Sequence, residues 1–291
     1  MIIVTGATGK LGSLVVEQLL ARVPAAEVGV SGRDPAKAAH LAERGVRVRR
    51  GDFTDAASLA VAFEGASQIL LVSAGTTGEA AMRQHRTAIE AAVAARAGRI
   101  LYTSHMGADP TSPFAPMPDH AATETLLRDS GVAYTALRNG FYAATVDLLL
   151  GPSGALATGE LAVPEDGPVA WTTHADLAEA TAIALAEGGL DGVTPALTAA
   201  EAVDMEGVAA LASELTGRPV RRVVVSDDDY RAGLASHGVP EAAADILVGM
   251  FRAARRGDFA TTDPTLAGLL ARRPASLREA LEPGLAPVSG A

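Results

Sequence analysis

The chain opens MIIVTGATGKLG, and those twelve residues constrain the fold more than any other stretch. Residues 2–5 are apolar or β-branched and read as a buried strand. From Leu11 the apolar residues recur at helical spacing, giving a predicted helix over 11–21. Between the two stand Gly6, Gly9 and Gly12. In this spacing one glycine permits a tight turn, one lets a pyrophosphate approach the backbone, and one lets the helix pack on the strand. The helix then aims its N-terminal amides and positive dipole end at the phosphates. The stretch reads as a dinucleotide cradle made by Gly6, Thr8, Gly9, Lys10, Leu11 and Gly12. A glycine triplet alone fits any tight βα turn; here a complete βαβ pattern follows it.

Strand and helix patterns alternate through the first half. Strands are predicted over 27–32, 46–50, 68–73, 99–104 and 133–138, and helices over 35–44, 56–63, 79–97 and 119–130. This order implies an α/β, Rossmann-type, doubly wound parallel sheet with helices on both faces. Residues 1–150 are the expected dinucleotide-binding domain. Residues 151–291 are a smaller, partly interleaved α/β lobe for substrate. In it, 148–159 reads as loop, 173–189 as helix, 193–198 as a strand returning to the main sheet, 205–216 as helix and 220–226 as strand. Three helical stretches then run to the end.

Composition removes several function classes. There is no cysteine, so disulfides, thiolate metal sites and cysteine nucleophiles are excluded. No histidine or carboxylate cluster suggests a metal, and the run Asp227-Asp228-Asp229 reads as a helix start. Net charge is −10, which argues against nucleic acid or an anionic membrane as partner. No apolar run approaches the ~20 residues of a membrane span, and no signal peptide is evident; a cytoplasmic protein is expected. Of 24 basic residues only Lys10 and Lys37 are lysines.

The second strand ends VSGRDPAK. An acidic residue at its tip would hold a ribose 2′-hydroxyl. Here Arg33 and Lys37 suit a 2′-phosphate instead, and Asp34, just before Pro35, suits a helix cap. The reading is NADP(H), with NAD(H) as the alternative. Asp52 and Phe53 in GDFTD fit an adenine pocket. Ser73, Ala74 and Thr103 are expected to line the cofactor channel.

VTGATGKLG, RDPAKA, GDFTD, QHRTAIEAA, YTS and LRNGFY together resemble the NmrA-like atypical short-chain dehydrogenases/reductases, in the branch of NADPH quinone oxidoreductase type 2 and triphenylmethane reductase. The resemblance runs through residues 1–142 and, in segment order, nearly to the C-terminus. Conventional short-chain dehydrogenases use a Tyr-x-x-x-Lys pair as acid/base. This chain has no such pair: none of Tyr102, Tyr134, Tyr142 and Tyr230 has a lysine four residues on, and His120-Ala-Ala-Thr-Glu124 stands at the expected helix.

The resemblance implies hydride delivery from NADPH to a quinone or other flat aromatic. Such an acceptor suits a site without a strong acid, because the reduced product is a delocalised anion. A narrower version has the substrate as an anthraquinone-like polyketide intermediate in antibiotic biosynthesis, with the reduced form reacting with oxygen in a monooxygenase-type hydroxylation. Expected partners are the small aromatic, a second copy of the chain as homodimer, and a protein of a two-component hydroxylation. Expected catalytic residues are Asn139, Tyr142, His105 and Ser104; expected substrate contacts are Met106, Phe141 and Trp171. The other reading is a non-catalytic NmrA-like sensor of NADP(H), which the missing Tyr/Lys pair fits as well.

Overall fold

The computed structural model describes residues 1–151 and 154–285, and the chain forms two compact units. The first comprises Met1–Pro110, Pro116–Asn139 and His174–Leu197; the second comprises Thr111–Ala115, Gly140–Thr173 and Thr198–Ala291. Apart from the short excursion over Thr111–Ala115, the chain passes from the first unit to the second at 139/140 and comes back to the first at His174.

The first unit starts with β1 (Ile2–Thr5), α1 (Lys10–Leu20), β2 (Val28–Gly32), α2 (Ala39–Glu43), β3 (Arg47–Arg50) and α3 (Ala56–Ala62). It continues with β4 (Gln68–Leu71), α4 (Gly78–Ala94), β5 (Arg99–His105), α5 (Pro116–Asp129) and β6 (Ala133–Asn139). In the second unit follow β7 (Phe141–Tyr142), α6 (Ala144–Leu150), α7 (Ala155–Thr158), β8 (Glu160–Pro164) and β9 (Trp171–Thr172). The chain then returns to the first unit for α8 (His174–Ala186) and β10 (Gly192–Val193). It ends in the second with α9 (Met205–Thr216), β11 (Arg221–Val225), α10 (Asp227–Ser236), α11 (Glu241–Arg255), α12 (Thr265–Leu270) and α13 (Leu277–Leu285).

The expected parallel sheet is present, in the order β10-β6-β5-β4-β1-β2-β3. The pairing β1·β4 sets Ile3 against Ile69, and β1·β2 sets Ile3 against Gly29. Strand order reverses between β1 and β4, so the crevice of an open α/β sheet opens at their carboxyl ends. β5 is buried along Ile100–His105, as expected for a strand covered on both faces. Ile3, Phe63, Ile69, Ile100 and Tyr102 anchor the core on one face, with Ala88, Ala92 and Leu127. α8 packs on α1. Its alanine-rich surface is buried nearly all round, from Leu177 to Leu185.

Three local expectations change. Residues 35–38 form a 3₁₀ turn before α2, not one continuous helix; the Asp34 carboxylate accepts the Ala36 N–H at 3.1 Å, the capping role expected of it. The span 148–159, expected as loop, carries the end of α6 and all of α7; residues 152 and 153 lie outside the described ones. The returning strand reduces to Gly192–Val193 on β6, with Leu197 bridging Asn139.

In the second unit β8 pairs parallel with β11, and β7 with β9. Asp166, only 2% exposed in its side chain, pairs with Arg222 and also accepts the Met205 N–H at the start of α9 at 2.8 Å. Ser226 caps α10 by accepting the Asp229 N–H, so the acidic triplet is the first turn of a helix, as expected.

Candidate functional site

The glycine turn is built by contacts that admit no side chain. A Cβ on Gly12 would lie 2.2 Å from the Gly6 carbonyl oxygen and 2.7 Å from its carbon. Gly6 has φ +62°, a left-handed conformation in which it also packs on Val72. Gly9 precedes the first turn of α1, and its N–H is held by the Gly6 carbonyl at 2.9 Å. The N–H groups of Lys10, Leu11 and Gly12 open the helix, so they have no intrahelical acceptor and suit an anion. Thr8, Gly9 and Lys10 are exposed at the turn; Leu11 is buried and can serve only through its backbone.

Arg33 and Lys37 are exposed at the tip of β2, and neither makes an ion pair among the described residues. Most arginines here are neutralised by carboxylates, as in Arg44–Glu17 or Arg50–Asp55; these two exposed cations suit an anion. Asp52, after β3, accepts the Thr54 N–H at 2.9 Å and its hydroxyl at 2.8 Å. Those bonds, with nearby Arg50 and Arg33, hold its carboxyl below the usual range. Phe53 is half-buried against the core. The cradle, the left-handed glycine and the two free cations fit a dinucleotide carrying a 2′-phosphate.

Behind the crevice the structure assigns several residues work that differs from expectation. Thr103 is 1% exposed, and its hydroxyl accepts the Ser73 N–H at 2.8 Å, fixing the end of β4. Ser104 is likewise buried; its hydroxyl donates to Glu124 at 2.6 Å. Glu124 in turn takes two bonds from Arg138, at 2.9 and 2.7 Å. Position 124, where a conventional dehydrogenase would place lysine, therefore closes a serine–glutamate–arginine group. One turn earlier, His120 Nδ1 meets the Tyr102 hydroxyl at 2.8 Å, and its ring stacks 6.1 Å from His105.

Burial pushes His105 down to about 3 and His85 to about 4, and holds His120 well below the usual range, with the two other imidazoles adding to its shift. All three are neutral at pH 7. His105 Nδ1 accepts the Gly107 N–H at 3.1 Å, so it is not the charged acid a proton donor would be. The unfolded chain protonates these rings near pH 6.5 while the folded one keeps them neutral, so stability is complete above 6.5 and falls as pH drops toward 4. Urea midpoints at pH 7.5 and 5 are expected to show that fall; equal midpoints would mean the rings are not buried as described.

Asn139 ends β6, beside His105 in register. It is wholly buried, its carbonyl accepts the Met106 N–H at 2.8 Å, and neither side-chain polar atom has a hydrogen-bond partner among the described residues. Leaving a buried amide unmatched costs roughly 1–3 kcal/mol per group. Met106 is half-buried next to it.

Two residues expected as substrate contacts, Phe141 and Trp171, are buried in an aromatic cluster. In the second unit Phe141 is 6% exposed and Trp171 is 1% exposed. Phe141 packs edge-on against Trp171 at 5.4 Å and Phe259 at 4.8 Å, with Phe114 at 5.7 Å. The Trp171 indole N–H donates to the Val203 carbonyl at 2.9 Å. Both rings are core, since edge-to-face aromatic packing with a satisfied indole is a stable interior arrangement. Tyr142 is half-buried in the same unit. Sequence reasoning missed His85, Asp119 and Thr123 as a group, and the Glu124–Arg138 pair; the quoted QHR stretch and the acid at the lysine position were the available signals.

A family described as NAD(P)H-binding matches residues 6–147. Quinone oxidoreductase 2 of Escherichia coli is 38% identical over 97% of both chains. Its crystal structure with NADPH superimposes with a TM-score of 0.91, covering 97% of this chain and 98% of that one. An NmrA-like family domain-containing oxidoreductase of Aspergillus flavus is 31% identical over 96% of this chain and 93% of its own. The Citrobacter sp. triphenylmethane reductase complexed with NADP(H) is 32% identical, TM-score 0.90, over 98% of this chain and 100% of that one. With its glycine cradle and full-length likeness to these reductases, the chain belongs to the NAD(P)H-binding, NmrA-like branch of atypical short-chain dehydrogenases/reductases.

Proposed function

We propose that this protein is an NADPH-dependent reductase of quinones or similarly flat aromatics. The observation that carries the reading is the fate of the catalytic helix. Ser104, His120 and Glu124 are each tied to a neighbouring side chain, and the imidazoles beside them are neutral. A ketone needs a proton as hydride arrives, because an alkoxide is a poor product. A quinone accepts hydride to give an aromatic hydroquinone anion, which collects its proton from water. When bound, NADPH supplies the hydride. The amides of Lys10, Leu11 and Gly12 would hold the pyrophosphate, Arg33 and Lys37 would hold the 2′-phosphate, and Asp52 and Phe53 would flank the adenine. The Asn139 amide would be offered to the nicotinamide or to the acceptor oxygen. The relatives named above are a quinone reductase, a dye reductase and an oxidoreductase; the proposal stops at reduction.

Two outcomes test this. Arg33→Ala raises the NADPH Kd about tenfold, about 1.4 kcal/mol, and leaves the NADH Kd unchanged. A parallel loss for both would remove the 2′-phosphate role. Second, kcat with menadione is flat between pH 5.5 and 8, because none of His85, His105 and His120 changes charge there. A step near pH 6.5 would point to a titrating imidazole and to acid catalysis. Oxygen uptake beyond the autoxidation of added hydroquinone would favour the hydroxylation reading, and binding without turnover the sensor.

A further inference from the structure

The segment between β4 and α4 forms one wall of the crevice beside the glycine turn, and its backbone is held in an unusual way. Four of its N–H groups are taken by side chains rather than by other backbone. Val72 donates to Thr5 Oγ1 at 2.9 Å, and Ser73 to Thr103 Oγ1 at 2.8 Å. Ala74 donates to His85 Nε2 at 2.9 Å, and Gly78 to Asp119 Oδ2 at 2.7 Å. The acceptors are all at most 9% exposed and come from β1, β5, α4 and α5.

His85 is the one acceptor in this set that works in a single protonation state. An amide N–H only donates, so Nε2 must carry a lone pair. Thr123 Oγ1 spends its own proton on the Asp119 carbonyl at 2.7 Å, so the 2.8 Å contact to His85 Nδ1 must run from Nδ1–H to Thr123. The ring is thus neutral and fixed as the Nδ1-protonated tautomer. Thr123 and Asp119 lie one turn apart on α5, so the helix that carries acid/base residues in conventional relatives here orients an imidazole and pins the far end of the segment.

We propose that His85 is a positioning residue for the dinucleotide, setting residues 72–78 at the crevice through the Ala74 amide. Removing the acceptor frees that amide, and the wall loses its register with the cofactor while the sheet stays intact. His85 touches neither cofactor nor substrate in this account.

The test is NADPH binding by fluorescence titration, with thermal melting as a second readout. In His85→Gln the amide oxygen reaches the Nε2 position and still accepts from Ala74. In His85→Asn it matches Nδ1 but stops short of Ala74. Both variants lose the ring, so a purely structural role would lower Tm and affinity alike in the two. The expected result is an NADPH Kd raised about tenfold or more in His85→Asn and within about threefold of wild type in His85→Gln. Thr123→Val keeps the histidine but removes the acceptor that fixes its tautomer; it is expected to raise the Kd by several fold, and gives the answer should His85→Asn not fold. Equal Kd shifts in the two His85 variants, or wild-type affinity in His85→Asn, would overturn the proposal. Binding needs no turnover, so the result is independent of whether the chain reduces quinones.

Discussion

Gly12→Ala is expected to abolish useful NADPH binding, raising the Kd at least about a hundredfold, near 2.7 kcal/mol. The added Cβ would sit 2.2 Å from the Gly6 carbonyl oxygen and 3.1 Å from the Ala7 Cα. Both obstacles are backbone, so no side chain can swing aside. The helix start must move, carrying with it the Lys10 and Leu11 amides proposed to hold the pyrophosphate. The rest of α1 packs through Leu11, Val15, Val16 and Leu19, and that contact keeps the chain folded, so far-ultraviolet circular dichroism stays near wild type. Gly9 is more forgiving, because its Cβ would stand 3.3 Å from the same oxygen; Gly9→Ala is expected to cost less than Gly12→Ala. Wild-type affinity in Gly12→Ala would remove the cradle from the account.

Asn139→Leu is expected to separate stability from activity. Both polar atoms of the side chain are buried without partners. A leucine keeps the branched outline without the polar atoms, and its larger size offsets part of the gain, so Tm is expected to hold or to rise by up to a few degrees, as roughly 1 kcal/mol does in a chain of this size. The same change removes the side-chain amide proposed to meet the nicotinamide or the acceptor oxygen, and kcat is expected to fall about a hundredfold, near 2.7 kcal/mol in the barrier. NADPH affinity changes far less, since the cradle and the Arg33 site are elsewhere. A variant that melts later yet turns over normally would make Asn139 an inert defect of the interior, not a site residue.

How far the sequence alone reaches depends on what sets each feature. The sheet and the glycine turn are legible because they rest on local periodicity and on backbone conformations that few residues adopt. The tip of β2 is legible for a related reason: Arg33 and Lys37 are surface charges, and Asp34 before Pro35 has a local capping signature. The lining of the crevice is not legible. Thr103 and Ser104 are neighbours with the expected composition of a site, yet one hydroxyl accepts from Ser73 and the other donates to Glu124. Those partners come from other elements, and nothing in the local pattern announces them. The burial of Phe141 and Trp171 is hidden in the sequence for a different reason. An aromatic near a strand end suits a pocket or a core equally well, and Phe114 and Phe259, distant in sequence, decide for the core. Asn139 shows another case: its position by a strand end suggested the site, while its lack of side-chain partners is visible only in the fold.

The most direct test of the central claim is anaerobic NADPH oxidation at 340 nm with menadione as acceptor, using NADPH deuterated separately at each face of the nicotinamide C4. The expected result is one hydroquinone formed per NADPH consumed, deuterium leaving from one face only, and a slower rate for that isotopomer alone. Tight NADPH binding with no oxidation on menadione or an anthraquinone would contradict it and make the chain a sensor of the cofactor.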